Sequence, residues 1–185
     1  MSWDDKTKSF TPPPPLADIC SGVDDAKLVC ELMDFTFYKS TIQKQPLTPF
    51  EKAFNDVCFL LANIDCDGWH SVFYQAYTYD AIGRMIDLLN EAGATHLAKQ
   101  LYEARTHYYL GRSDLMTRQE LEAAGMTGWH MPPEVENKFY EIGDAVSAKD
   151  SQIYQLGTFL AKPARKHLKE FTEFVRNAEP QPPRP

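Results

Sequence analysis

The chain has 185 residues, 43% of them hydrophobic and 24% charged, with a formal net charge of −7; a globular domain of this size buries about 70% of the surface its unfolded chain exposes and needs no disulfide or structural metal. No run approaches the roughly 18 consecutive apolar residues of a membrane span, and the acidic balance offers no polybasic footprint for direct contact with nucleic acid or anionic lipid. Nothing at the N-terminus reads as a secretory signal, and Cys20, Cys30, Cys58 and Cys66 form no C-x-x-C pair, so a cytoplasmic protein with reduced thiols is expected.

Taken in chain order, residues 1–20 form a proline-marked tail, with Pro12 to Pro15 consecutive, and residues 179–185 form another, with Pro180, Pro182, Pro183 and Pro185. Both are expected to be extended or disordered. Between them, residues 21–178 read as a single compact all-α domain of about eight helices with short loops. Apolar residues recur at i, i+3 or i+4, and i+7, the period of a helix with one buried face. Leu28, Leu32 and Phe35 form the first stripe, and Phe50, Phe54, Val57 and Leu61 the second. Thr48-Pro49-Phe50-Glu51 opens the second: Thr48 caps, Pro49 takes the first helical position, and Glu51 reaches back to complete a capping box.

Ile82, Met85, Ile86 and Leu89 follow, closed by Gly93, which tolerates the left-handed conformation of a helix terminus. Leu97, Leu101, Ala104 and Tyr108 come next, closed by Gly111. Val135, Phe139, Ile142 and Val146 then lead to Ile153, Leu156 and Leu160 and, beyond Pro163, to Leu168, Phe171 and Val175. Pro163 cannot donate to the backbone ladder, so the last helix is expected to kink or break there. Strand signals are nearly absent, no repeat period points to a solenoid, and short connections predict antiparallel packing around one core.

Charge is uneven along the chain. Residues 162–185 carry a local +3 from Lys162, Arg165, Lys166, Lys169, Arg176 and Arg184, while residues 1–161 carry −10. The basic group is expected on the solvated face and last turns of the C-terminal helix, where it offsets the macrodipole.

Residues 63–74 depart from plain patterning. Asn63, Asp65 and Asp67 fall at positions 1, 3 and 5 of a calcium loop and Gly68 at position 6, but position 12, which must supply a bidentate carboxylate, is Tyr74. Cys66 and His70 lie four apart, yet Asp67-Gly68 breaks a shared helical face and no oxyanion-donor loop accompanies them. A structural reading fits better: Asp67 caps a short helix from Gly68, Trp69, Val72 and Phe73 point inward, and the carboxylates of Asp65 and Asp67 bond loop amides.

The pattern Leu47-Thr48-x-x-Glu51-Lys52-x-Phe54, then Ile64 through Gln75, then Leu89-x-x-Ala92-Gly93-Ala94 and Ala98-x-x-Leu101 resembles a helical family of bacterial proteins typified by a DNA-mimic protein. The family motif runs Val-Asn-Asn-Gly-Gly-Phe-x-Gln-Phe-Phe-x-Asn, and Gly68, the aromatic Trp69, Phe73 and the Gly93-Ala94 ending fall at its spacing. Phe139-Tyr140 and the last helix are similar to the family's C-terminal part, so the resemblance covers roughly residues 47–177. Asp65-Cys66-Asp67 stands where Asn-Asn-Gly is usual, Ser71 replaces Gln and Gln75 replaces Asn, so any amide network of the motif differs here.

The resemblance implies a non-enzymatic homodimer whose acidic surface imitates the DNA backbone and occupies the DNA-binding face of a basic partner such as a transcription regulator. Duplex DNA presents one negative charge per roughly 1.7 Å of axis, so mimicry needs aligned carboxylates. Candidates are Glu51, Asp56, Asp65 and Asp67 around the motif and Glu134, Glu136, Glu141 and Asp144 in a later helix. An immunity or antitoxin-like role against another basic partner has the same physics. A small-molecule-binding protein or metal enzyme is the other class: His96 and His107 lie eleven apart on one predicted helix, and Tyr74-Tyr77-Tyr79 and Tyr102-Tyr108-Tyr109 are aromatic clusters. His70, His130 and His167 are scattered, and no H-E-x-x-H, G-x-S-x-G or phosphate-cradling loop occurs, so no catalytic residue, metal or cofactor is assigned.

Overall fold

The computed structural model describes residues 12–22, 24–67, 77–109, 118–123, 133–147 and 156–174. Every regular element among them is helical: α1 (Leu16–Ser21), α2 (Asp25–Phe37), a π turn (Tyr38–Ile42), α3 (Pro49–Asp67), α4 (Tyr79–Ala92), α5 (Thr95–Tyr108), α6 (Arg118–Ala123), α7 (Pro133–Ser147), α8 (Leu156–Lys166) and a 3₁₀ turn (Leu168–Glu170). The protein is an all-α domain, as its periodicity implies. α2 packs along α8, α4 packs against α5, α3 and α8, and α7 lies on α5.

The apolar stripes build the core. Leu28, Leu32 and Phe35 of α2, Phe54 and Val57 of α3, Ile82, Met85 and Leu89 of α4, and Leu97, Leu101, Ala104 and Tyr108 of α5 are all buried, joined by Ile142 of α7 and Leu160 of α8. Caps fix the helix ends. Asp24 Oδ1 accepts from Lys27 N–H at 2.7 Å, and Thr78 Oγ1 accepts from Ala81 N–H at 3.2 Å. At the end of α4, Gly93 has φ +87° and its N–H donates to the Asn90 carbonyl at 3.0 Å, so two residues turn the chain into α5.

Four expectations are corrected. The N-terminal tail does not extend to residue 20: Pro13 is buried, Leu16 and Ile19 of α1 join the core, and Leu16 N–H donates to Glu173 Oε1 at 2.7 Å. Pro163 does not break α8, which continues to Lys166; the buried Pro163 forgoes one ladder bond, and its own carbonyl accepts from His167 N–H at 2.9 Å. The helix does not continue through Leu168 to Val175. After the 3₁₀ turn the backbone at Phe171 is extended (φ −77°, ψ 128°), and Phe171 and Phe174 are buried from that strap. Their rings lie 5.5 Å from Phe54 and 5.2 Å from Phe35, respectively.

Finally, α3 runs through Asp67. Asp65 and Asp67 are therefore in its last turn and not in a loop, which removes the calcium-loop backbone; the bonds expected of their carboxylates lie outside the described residues. Gly68, Trp69, His70, Phe73 and Tyr74 lie outside the described residues.

Candidate functional site

Two of the eight carboxylates read as surface groups are interior. Glu51 is fully buried and Asp56 is 6% exposed. α3 packs against both α2 and α4, so its buried face is wide enough to take in both positions. Glu51 completes the predicted capping box: its Oε2 accepts from Thr48 N–H at 2.7 Å, and Thr48 Oγ1 accepts from Glu51 N–H at 3.1 Å. The same carboxylate receives Lys39 Nζ at 2.8 Å on both oxygens and Thr172 N–H at 2.8 Å on Oε1. Asp56 pairs with Lys52 at 3.2 Å, and burial raises its carboxyl against the pull of that lysine.

α7 does present acid to solvent. Glu134, Glu136 and Glu141 are exposed, beside the 56%-exposed Tyr140. Glu134 and Glu136 stand in the first turn, where they also complement the helix dipole. Glu141 is partly neutralised by Lys138 Nζ at 2.6 Å; that bond and the lysine's charge lower its carboxyl. The side chains of Asp65, Asp67 and Asp144 lie outside what the structure describes.

Sequence reading missed a second acidic row on α4. Asp80 and Asp87 are exposed and seven residues apart, hence on one face, with the exposed Arg84 between them. Between α5 and α7 an open groove of about 310 Å³ is lined by His96, Lys99, Gln100, Glu103, Lys138 and Glu141. Its charges cancel locally, with Lys99 3.8 Å from Glu103 and Lys138 on Glu141.

A family model described as DMP19-like protein matches residues 45–167, two thirds of the chain. The chain belongs to the DMP19-like protein family. No curated protein and no solved structure matches it significantly. The family match takes in the capping box and α3 to α8 and leaves out α1, α2, Lys39 and the strap of Phe171, Thr172 and Phe174.

Those outer parts close over the DMP19-like segment. Lys39, in the π turn and 3% exposed, donates to Glu51 and also to Thr172 O at 2.9 Å and Thr172 Oγ1 at 2.6 Å. The ion pair is thus fully hydrogen-bonded, the condition under which a buried pair is tolerated. The basic C-terminal residues likewise tie elements together instead of only facing water. Arg165 Nε and Nη2 donate to Asp25 Oδ1 at 3.0 and 2.8 Å, and Nη1 donates to Gly22 O at 3.1 Å. Lys166 Nζ donates to Glu91, which His167 also contacts.

The tyrosines are mostly structural. Tyr108 and Tyr109 are core residues, and Tyr109 Oη donates to the Tyr77 carbonyl at 2.6 Å. Tyr77 and Tyr79 pack against the core from its margin. His96 lies at the groove and His107 is exposed on the same helix. No group of three or more metal-ligating side chains occurs among the described residues, and no helix there is long and apolar enough to cross a membrane.

Proposed function

We propose that this DMP19-like protein is a non-enzymatic acidic binding protein of the cytoplasm that acts as a homodimer, its carboxylates occupying the DNA-binding face of a basic partner such as a transcription regulator. Family membership is the observation that carries the reading. The exposed carboxylates of α7 (Glu134, Glu136 and Glu141) and of α4 (Asp80 and Asp87) support it, with Asp65, Asp67 and Asp144 as further contributors. Glu51 and Asp56 are excluded by burial.

Magnitudes favour an assembled surface over a single helix. Glu134 and Glu141 are seven residues apart, or about 10 Å along the axis, a length over which duplex DNA carries about six charges. α7 supplies three exposed carboxylates there, one held by Lys138. Several helices, or a second copy, are needed to approach the density of a duplex.

The test is capture of a basic DNA-binding protein by the immobilised chain, with light scattering to establish a dimer. Capture is expected at low salt, to fall as screening grows, and to be competed by duplex DNA. The triple variant Glu134→Gln, Glu136→Gln, Glu141→Gln should lose most of it while keeping its melting temperature. Capture indifferent to both salt and DNA would reject the reading.

A further inference from the structure

Most buried or half-buried cations of the described residues are matched to a carboxylate: Lys39 to Glu51, Arg165 to Asp25, and His167 to Glu91. Arg105, half-buried in the last turn of α5, is different. No carboxylate lies within ion-pair distance of it among the described residues, in a chain with 26 acidic side chains. Its guanidinium carbon sits 4.1 Å from the centroid of the Tyr79 ring and 5.4 Å from that of Tyr102. Nη1 makes one long contact of 3.4 Å to the Tyr79 carbonyl. Nε is buried with no acceptor among the described residues.

Stacking on a ring satisfies the face of a guanidinium and leaves its in-plane N–H groups unused. Five donors with a single long acceptor contact among the described residues are therefore a largely unfilled recognition unit, partly removed from water, where a charge-assisted bond is stronger than in solvent. The group is also held in place. Gly83 on α4 makes room for it, since a Cβ there would stand 3.1 Å from Nη1, and the 52%-exposed Tyr102 has its ring centroid 5.4 Å from the guanidinium carbon.

We propose that Arg105, framed by Tyr79, Gly83 and Tyr102 at the α4–α5 seam, is a binding site for an oxyanion, the carboxylate or phosphate group of a small molecule. The guanidinium donates through the N–H groups that ring stacking leaves unused, and the Tyr102 ring offers an apolar wall to whatever carries the anion.

The experiment is an NMR titration of the full chain at constant ionic strength, with sodium chloride replaced stepwise by sodium phosphate or by sodium acetate. The Arg105 Nε–H resonance, assigned by its loss in Arg105→Lys, and the Gly83 and Tyr102 amides are expected to shift saturably with at least one anion. Phosphate alone marks the phosphate source, acetate alone the carboxylate, and both a general oxyanion site. Arg105→Gln should abolish the saturable response at Gly83, and Gly83→Ala should weaken it several-fold by displacing Nη1. Absence of a saturable shift with either anion, or a response at Gly83 that survives in Arg105→Gln, overturns the proposal. Should Arg105→Gln not fold, the wild-type titration and Gly83→Ala decide the matter alone.

Discussion

Nε2 of His167 lies 3.0 Å from Oε1 of Glu91, a residue 76 positions earlier in the chain. Its other ring nitrogen, Nδ1, lies 2.6 Å from Glu170 Oε1, and the ring stacks on Phe50 with centroids 4.5 Å apart. Ionised carboxylates only accept, so both nitrogens donate at once only when the ring is the imidazolium. Burial opposes that charge, but the bonds to Glu170 and Glu91 outweigh it and hold His167 above its ordinary value. A hydrogen bond from Lys166, assisted by His167, holds the Glu91 carboxyl low.

The pH dependence has a definite sign. A raised histidine stabilises the fold fully below its unfolded value of about 6.5 and loses that contribution as pH rises through the higher folded value. Glu91, being lowered, contributes above its ordinary carboxylate range and fails only in more acidic solution. The melting-temperature difference between wild type and His167→Gln is therefore expected to be largest near pH 6 and to shrink toward pH 9. With the side chain a quarter exposed, the effect is about 1 kcal/mol, or roughly 2–4 °C. A difference constant across that range would refute the clasp.

Glu51→Gln removes the negative member of a buried pair while keeping its shape. The Lys39 ammonium is left 3% exposed without a counter-charge, a loss of about 3–5 kcal/mol in urea denaturation. Lys39→Met should be comparably damaging, because Glu51 would then be the uncompensated ion. Glu134→Gln, on an exposed first turn, serves as the control and should lower the midpoint only slightly, by the loss of its dipole interaction of about 0.5 kcal/mol.

Gly93→Ala isolates backbone strain. A Cβ at this position meets nothing within 4 Å, yet φ is +87°, so the penalty comes from the left-handed conformation alone and should be about 1 kcal/mol. Thermal melts of the variant should show a small downward shift with the cooperativity intact.

Thiol reactivity should separate Cys30 from Cys58. Cys30 is exposed, whereas Cys58 is buried and burial pushes its thiol up to about 12. Pulse alkylation followed by peptide mapping is expected to modify Cys30 in the native protein and Cys58 only once denaturant unfolds it. Rapid native modification of Cys58 would show that the α2–α3 interface opens.

Periodicity carried the helices because an apolar stripe is local in sequence: Ile82, Met85 and Leu89 needed only a 3.6-residue rhythm to be placed inward. The capping box was legible for the same local reason. What the box did with its spare oxygen was not, since Lys39 and Thr172 arrive from 12 residues before Glu51 and 121 after it. Asp56 did carry a signal, sitting in the middle of the Ala53–Val57–Leu60 stripe, where a carboxylate cannot be a surface group. The stripe of Leu168, Phe171 and Val175 misled for a simple reason. Residues three and four apart share a face in a helix, but here the chain bends through a 3₁₀ turn and Phe171 reaches the same core in extended form.

The 2.7 Å bond between Leu16 and Glu173 constrains how the domain is born. A nascent chain cannot complete the anchoring of its first helix, nor surround the Lys39 ammonium, until residues 172 and 173 have emerged from the ribosome, so α1 and the π turn gain these partners only after the helices between have been made.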